Sequence, residues 1–343
     1  MNPSTRKGIA AAGNWIVDHV KVIDVFPQQD TLANIHGISH GNGGSAYNIL
    51  KDNARLGAPF PLEAIGLIGH DADGAEILRD CRAHGIDASQ LKTTDHAPTS
   101  FTDVMTVKST GRRTFFHHRG ANALLDIEHI DLEATSARIF HIGYLLLLDR
   151  LDDAHGEHGT RAAAVLARAQ ALGFKTSIDV VSEDSQRFPQ IVKPALRHTD
   201  YAIFNELEAE RTTGIATRIV GALSIDGLKR AARDLLGIGV REWIVIHFPE
   251  GGYALSSRGE EFFQPSLRLP DGFVTGTAGA GDAFCSGVLL GLHEGWPIEK
   301  SLTLGVCAAA TSLSHPTCSD GVTRIGDALA LSEKFGFNPK HEL

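Results

Sequence analysis

Apolar residues along this chain fall into two alternating rhythms. Short, nearly continuous runs at residues 64–68, 139–142, 175–179, 201–204 and 243–247 have the length and β-branched content of strands buried on both faces. Between them the apolar spacing changes to three and four, through Ile77, Leu78 and Cys81, then across residues 162–172 and again across 228–236. That spacing places side chains on one face of a helix, and Gly85 and Gly173 follow as helix stops. Strands and helices in alternation predict a doubly wound α/β fold, with a mostly parallel central sheet and helices on both faces. Two more helical runs, one ending at Leu292 and one over 302–313, complete the pattern.

Two stretches depart from it. Residues 101–107 and 113–118 are β-rich and flank Ser109-Thr110-Gly111, which reads as a hairpin. Residues 13–18 read as a first strand, extended by Val20, Val22, Ile23 and Val25. With no internal repeat or low-complexity tract, one domain over 13–330 is expected, between an N-terminal tail at 1–12 and a C-terminal tail at 331–343.

Charge and cysteine content narrow the functional classes. Lys plus Arg number 32 against 41 Asp plus Glu, a formal charge of -9, which argues against nucleic acid or an anionic membrane as partner. No apolar run approaches the roughly 18 residues of a spanning helix, and the first dozen residues are too short for a secretory signal, so a cytoplasmic protein is expected. Cys81, Cys285, Cys307 and Cys318 form no C-x-x-C pair and read as reduced core thiols.

The chemistry gathers around Gly276-Thr277-Ala278-Gly279-Ala280-Gly281-Asp282-Ala283-Phe284, which runs into the helical series Cys285, Val288, Leu289 and Leu292. Gly279, Ala280 and Gly281 carry little bulk, so an anion can approach the unpaired N–H groups at a helix start, the positive end of the macrodipole. Asp282 sits inside that cradle, where a carboxylate is unfavourable beside phosphate unless it has a chemical task; it reads as a general base. Glycines before a helix also serve close packing, so the cradle alone is weak. A second such start, Gly43-Gly44-Ser45-Ala46-Tyr47-Asn48, leads into Ile49, Leu50 and Ala54 and stops at Gly57. Asp18 interrupts the first apolar strand, either as a turn carboxylate or as an acceptor for ligand hydroxyls. Asn205-Glu206-Leu207-Glu208 follows a strand end, and by itself is an N-cap with acidic first-turn residues.

Together these motifs resemble the ribokinase-like (PfkB-type) carbohydrate kinases. Gly-Ala-Gly-Asp with Ala-Phe at 279–284 is similar to the C-terminal signature, and Gly-Gly-x-x-x-Asn at 43–48 with Leu56-Gly57 to the N-terminal one. Gly69-x-Asp71-x-x-Gly74 and Gly85-Ile86-Asp87 also fit, and the likeness runs from about residue 13 to 321. It implies ATP-dependent phosphoryl transfer to a hydroxymethyl group of a sugar or sugar acid, with Asp282 as base and Gly279, Ala280 and Gly281 as the anion cradle. Asp18, Gly44 and Asn48 would line the sugar site, and Gly252 and Thr277 the nucleotide site. Asn205 and Glu208 would organise Mg2+ through water. Strands from 16–40 and 101–119 would form a small β-sheet lid, which in the family often pairs between subunits and so implies a homodimer. His117, His118, Arg119 and Asn122 follow the hairpin, either reaching the substrate or forming a solvated loop.

Three positions depart from the family. Ser45 stands where sugar binders often carry Lys, so the substrate is not carried over from ribokinase. His247-Phe248-Pro249 replaces the usual Thr-x-Gly and alters the nucleotide pocket. Gly276 replaces an Asp that helps to hold a monovalent cation, leaving Asp320 as the nearest substitute. The alternatives are a nucleoside kinase of the same fold, with Trp15 and Tyr47 stacking on a base, or a non-catalytic binding protein descended from a kinase.

Overall fold

The structure is a computed structural model and describes residues 6–339. In chain order, β1 (Ile9–Gly13) is followed by β2 (Ile16–Ile23), β3 (Ile35–Gly43), α1 (Ser45–Leu56), β4 (Leu62–Gly69), α2 (Ala72–Ala83) and β5 (Asp87–Thr94). The hairpin of β6 (Ser100–Val107) and β7 (Arg113–His118) comes next, then β8 (Ile139–Leu145), α3 (Asp149–Asp152), the short ribbon of β9 (Ala154–His155) and β10 (Gly159–Thr160), and α4 (Arg161–Ala171). The second half begins with β11 (Lys175–Val180), α5 (Phe188–Leu196), β12 (Tyr201–Asn205) and α6 (Glu206–Thr213), and continues through the ribbon of β13 (Arg218–Ile219) and β14 (Ala222–Leu223) to α7 (Ile225–Ile238). It ends with β15 (Trp243–Phe248), β16 (Gly251–Ser256), β17 (Glu261–Pro265), α8 (Ala280–His293), α9 (Ile298–Ser312) and α10 (Ile325–Phe335).

Nine strands form one sheet in the order β17-β16-β15-β12-β11-β8-β1-β4-β5. All neighbours from β15 to β5 are parallel, and β16 and β17 add antiparallel pairings at one edge. Because strand side chains alternate, each strand feeds two cores. Ala10, Phe140, Ile142 and Ile246 join Leu166, Val192 and Leu228 of α4, α5 and α7 on one face. Ile9, Ile139, Ile203 and Val245 join Leu50, Leu289 and Leu302 of α1, α8 and α9 on the other. Burying each large apolar side chain contributes about 1.5–3 kcal/mol, which explains why the strand runs read as continuously apolar. Among the described residues no helix is long and apolar enough to cross a membrane. Cys81, Cys285, Cys307 and Cys318 are free and buried.

Both expected tails are corrected. Residues 9–12, placed in an N-terminal tail, are fully buried in β1 at the interior of the sheet. Their small alanines carry little apolar signal, yet the position needs small residues: a Cβ at Gly13 would lie 1.7 Å from the Gly143 carbonyl oxygen. The single strand expected over 13–18 is two, since the chain leaves the large sheet after Gly13 and enters the lid at Ile16, with Trp15 between them donating to the Ile65 carbonyl at 3.0 Å. At the other end, residues 331–335 continue α10, and Phe337 bridges Leu267 while Asn338 N donates to Ser266 O at 2.9 Å. The tail calls at 1–5 and 340–343 lie outside the described residues.

A separate four-stranded sheet, ordered β3-β2-β6-β7, forms the lid. β2 pairs antiparallel with β3 and parallel with β6, and β6 pairs antiparallel with β7. The last residue of β3, Gly43, is joined to α1 through Gly44 alone, so the lid is tied to a core helix.

Candidate active site

Where the carboxyl ends of β8, β11, β12 and β15 meet the lid there is a cavity of about 440 Å³. That is where a parallel α/β sheet leaves room for ligands. Register explains the lid's contribution: Asp18 pairs with Thr102, and Thr102 with His117, so the three share the face turned to the cavity.

The loop before α8 supplies the floor. Gly279 is the N-cap of α8 with φ 74°, and no side chain caps the helix, so the first-turn N–H groups are left for a ligand. A Cβ at Gly279 would lie 2.6 Å from the Cα of Cys318, so only glycine lets the two loops meet there. Gly279 and Gly281 line the cavity, and Ala280 lies between them as the first residue of α8. Asp282 follows and is buried. Its Oδ2 accepts from Asn48 Nδ2 at 2.6 Å, and both oxygens lie 2.7 Å from the Tyr144 hydroxyl. Burial, reinforced by the charge of Asp179, pushes its carboxyl up to about 6 against those two donors.

Asn48 is itself held. It lies one turn into α1, its N–H bonded to the Gly44 carbonyl at 2.9 Å, and its Oδ1 accepts from Asn42 at 2.6 Å. Gly44 caps α1 with φ 86°, where a Cβ would lie 2.5 Å from the Asn14 carbonyl oxygen. Asp18 faces the cavity from β2, with the Cys318 thiol 3.7 Å from Oδ2. Burial pushes it up to about 7. Asp18, Gly44 and Asn48 therefore come together with Asp282.

Asn205 and Glu208 bear out the N-cap reading and also reach the cavity. They form a reciprocal capping box, Asn205 N donating to Glu208 Oε2 at 2.8 Å and Glu208 N to Asn205 Oδ1 at 2.9 Å, and both line the cavity. Ser182 donates to Glu208 Oε1 at 2.8 Å. Burial pushes the Glu208 carboxyl up to about 8. Among the described residues no group of three or more His, Cys, Asp or Glu is arranged to hold a metal ion. A pair whose oxygens are already hydrogen-bonded suits a magnesium ion that keeps its own waters.

Other positions fall elsewhere. Gly252 is buried in β16, where a Cβ would lie 2.7 Å from the Phe284 ring, and Thr277 is exposed ahead of α8; neither lines the cavity. His247 does, beneath Gly281, and burial holds its ring near a pKa of about 4, hence neutral. Pro249 lies outside the cavity lining, in the turn joining β15 to β16. His117 and His118 end β7 rather than follow the hairpin, and of them, Arg119 and Asn122 only His117 lines the cavity: His118 stacks on Phe101, Arg119 pairs with Asp149, and Asn122 is buried against the Trp15 backbone. Trp15 and Tyr47 stack on each other in the core at 5.3 Å, and the Tyr47 hydroxyl donates to Asp80. They are thus unavailable to a base.

Sequence reasoning missed Tyr144 and Asp179. The Ser45 hydroxyl donates to Asp179 Oδ2 at 2.6 Å and lies 3.0 Å from His141 Nε2, a buried network whose charges act on Asp282. Tyr144 is at the carboxyl end of β8 and Asp179 at that of β11. Only the rule that such ends carry ligands pointed to them.

The pfkB family carbohydrate kinase profile matches residues 9–324. A ribokinase of Schizosaccharomyces pombe is 25% identical over 279 residues, covering 80% of this chain and 81% of that one. A 5-dehydro-2-deoxygluconokinase of Geobacillus kaustophilus is 26% identical over 298 residues, 82% of this chain and 81% of its own. Among solved structures, Arabidopsis thaliana ribokinase complexed with ribose and ATP superposes with a TM-score of 0.76 at 20% identity, over 95% of this chain and 98% of that one. With the cradle, the buried Asp282 and the lid already assembled by the fold, a match over nearly the whole chain makes this protein a member of the pfkB family of carbohydrate kinases.

Proposed function

We propose that this protein transfers the γ-phosphoryl group of ATP to a hydroxymethyl group of a sugar or sugar-like acceptor, with Asp282 as general base. The observation that carries the reading is a buried carboxylate, with its pKa near neutrality, in the first turn of a helix whose N–H groups have no side-chain cap. Such a group is ionised at pH 7 and still basic enough to accept a hydroxyl proton as the O–P bond forms. The N–H groups at the start of α8 meet the charge on the transferring group. Asn48 and Tyr144 orient the Asp282 oxygens, and Asp18 accepts from other acceptor hydroxyls. The lid face with Thr102 and His117 excludes water. Asn205 and Glu208 would hold Mg2+ through water, where it would neutralise phosphate charge. A non-catalytic binder would have no use for a base at this place, and the nucleoside alternative loses Trp15 and Tyr47, which are core residues.

The test is ADP release with Mg-ATP and a panel of sugars, sugar acids and nucleosides, run alongside Asp282→Asn. The variant should lose about 10²- to 10⁴-fold in turnover with nearly unchanged ATP affinity. Near-normal turnover in the variant would remove Asp282 from the chemistry.

A further inference from the structure

Arg113, the first residue of β7, is half-buried, and among the described residues its guanidinium has no hydrogen bond or ion pair. Other cations around the site are engaged: Arg119 with Asp149, Arg187 with Glu183, and Lys51 with Asp80 and Asp320. Register puts Arg113 on the lid face turned to the cavity. It pairs with Thr106 and Thr106 with Val22, an even number of positions along each strand from His117, Thr102 and Asp18. With Asp18 it walls a separate small pocket, whose far side is formed by Ala278 of the cradle loop and by Pro316, Thr317 and Cys318 of the loop after α9. Asp18, Ala278 and Cys318 line the main cavity as well, so one carboxylate faces both the acceptor end and the guanidinium.

Gly276 explains how the guanidinium fits there. A Cβ at that position would lie 3.1 Å from Arg113 Nη2 and 2.6 Å from the His315 carbonyl oxygen. Any side chain would press on both, and a carboxylate would also compete with Asp18 for the positive charge. With glycine in place, the charge of Arg113 acts on Asp18.

Asp18 is a carboxylate that needs a counter-charge. Burial, the largest influence, and the charge of Asp282 push it up to about 7, against hydrogen bonds from Cys318 and Thr102. The Cys318 thiol is a weak donor and lies 3.7 Å from Oδ2. His117, 3.0 Å from the Thr102 hydroxyl, is held near 4 by burial and is neutral at pH 7. The groups facing Asp18 are thus Asp282 on α8, Cys318 after α9, and Thr102, His117 and Arg113 on the lid. Only Arg113 among them is a cation.

Resting on the phosphotransfer reading above, we propose that Arg113 is a positioning residue of the acceptor site: its guanidinium, seated where Gly276 leaves room, is the counter-charge that keeps the Asp18 carboxylate ionised to accept acceptor hydroxyls. Protonation of Asp18 would turn one of its acceptor oxygens into a donor and weaken its hold on a hydroxyl. A positive charge favours the ionised form, so without Arg113 the carboxylate should take up its proton at higher pH, and acceptor binding should fail at higher pH with it.

The experiment follows Asp18 directly, by NMR titration of protein labelled with carbon-13 at the aspartate Cγ, with Asp18→Asn identifying the signal. Arg113→Met should raise the midpoint by about one pH unit, and Arg113→Lys should stay near the native value. Arg113→Gln supplies a second neutral side chain should Met disturb the lid, and thermal unfolding of each variant reports such damage. For any of D-ribose, D-fructose and D-glucose that the native protein phosphorylates, KM for the sugar at pH 7 should rise about fivefold in Arg113→Met, the ratio of ionised fractions for a one-unit shift from a midpoint near 7. That difference should close above about pH 9, whereas a packing defect would persist at every pH. A midpoint that does not rise in Arg113→Met and Arg113→Gln, one that rises as far in Arg113→Lys, or a KM difference that persists at high pH would each overturn the proposal. Native ADP release with an unmoved Asp18 midpoint defeats this inference and leaves the kinase. A displaced midpoint in a protein that releases no ADP with any acceptor tried defeats the kinase and leaves the charge pairing.

Discussion

Asp282 receives two hydrogen bonds and one opposing field, and the balance sets when it can act. The Tyr144 hydroxyl and the Asn48 amide favour the ionised carboxylate, while burial and Asp179 disfavour it, leaving the group near 6. In the proposed role as base Asp282 must be ionised, so activity should be lost as pH falls through that value. Tyr144→Phe removes one donor to the charged form, so the pKa must rise, and the acid limb of kcat/KM should move upward by about one pH unit, since a hydrogen bond to a charged group contributes about 1.5–3 kcal/mol. An unmoved limb with lower KM or lower thermal stability would make Tyr144 a packing residue only. At this scale the residues themselves pointed to Asp282, while Gly44, Asn48, Asn205 and Glu208 stood out through the resemblance of their short helix-start motifs to the family's signatures. Tyr144 was hidden, being 138 positions from the carboxylate it touches.

The loops that flank α8 make the potassium question concrete. A Cβ at Gly276 would lie 2.6 Å from the His315 carbonyl oxygen, 2.8 Å from Pro316 Cα and 3.1 Å from Arg113 Nη2. The carboxylate that the family carries there is absent, and the packing has closed over its place. Asp320, the candidate substitute, accepts from the Thr317 hydroxyl at 2.8 Å and lies 3.6 Å from Lys51. Lys51 and Arg55 act together with the Thr317 hydrogen bond to hold it below its usual carboxylate range despite partial burial. A carboxylate already neutralised by lysine is a poor ligand for a monovalent ion, which must recover its hydration energy from the site. Turnover in potassium should therefore exceed turnover in tetramethylammonium, at equal ionic strength, by less than about tenfold, equivalent to about 1.4 kcal/mol of barrier. A larger activation that Asp320→Ala abolishes would show a site built on that residue.

For the whole molecule the open question is what covers the lid. The face turned away from the cavity presents Ile38 and Phe116, 67% and 51% exposed, which the pairing of Ile38 with Lys21 and of Phe116 with Asp103 puts on one side of the sheet. Among the described residues β3 and β7 are its two unpaired edges. Exposed apolar side chains beside open edges favour association, and two-fold pairing is the commonest form it takes. We expect a homodimer through the lid. Sedimentation at micromolar concentration should give a dimer for the native chain and a monomer for Ile38→Asp with Phe116→Asp; a native monomer would defeat it.

Periodicity alone determined the alternation of strand and helix, the hairpin at 101–118 and the glycine-led helix starts, because buried strands and amphipathic helices impose period on side-chain polarity over a few residues. It could not place β1, whose alanines carry almost no polarity signal, or α10, whose placement depends on packing against α9. The encounter of Asp18 from the lid, Asn48 from α1, Tyr144 from β8, Asp179 from β11 and Asp282 from α8 was decided by tertiary structure. Their shared cavity, and the raised pKa values of Asp18 and Asp282 within it, arise from burial and mutual charge, and both come into being only when the carboxyl ends of separate strands are brought under one lid.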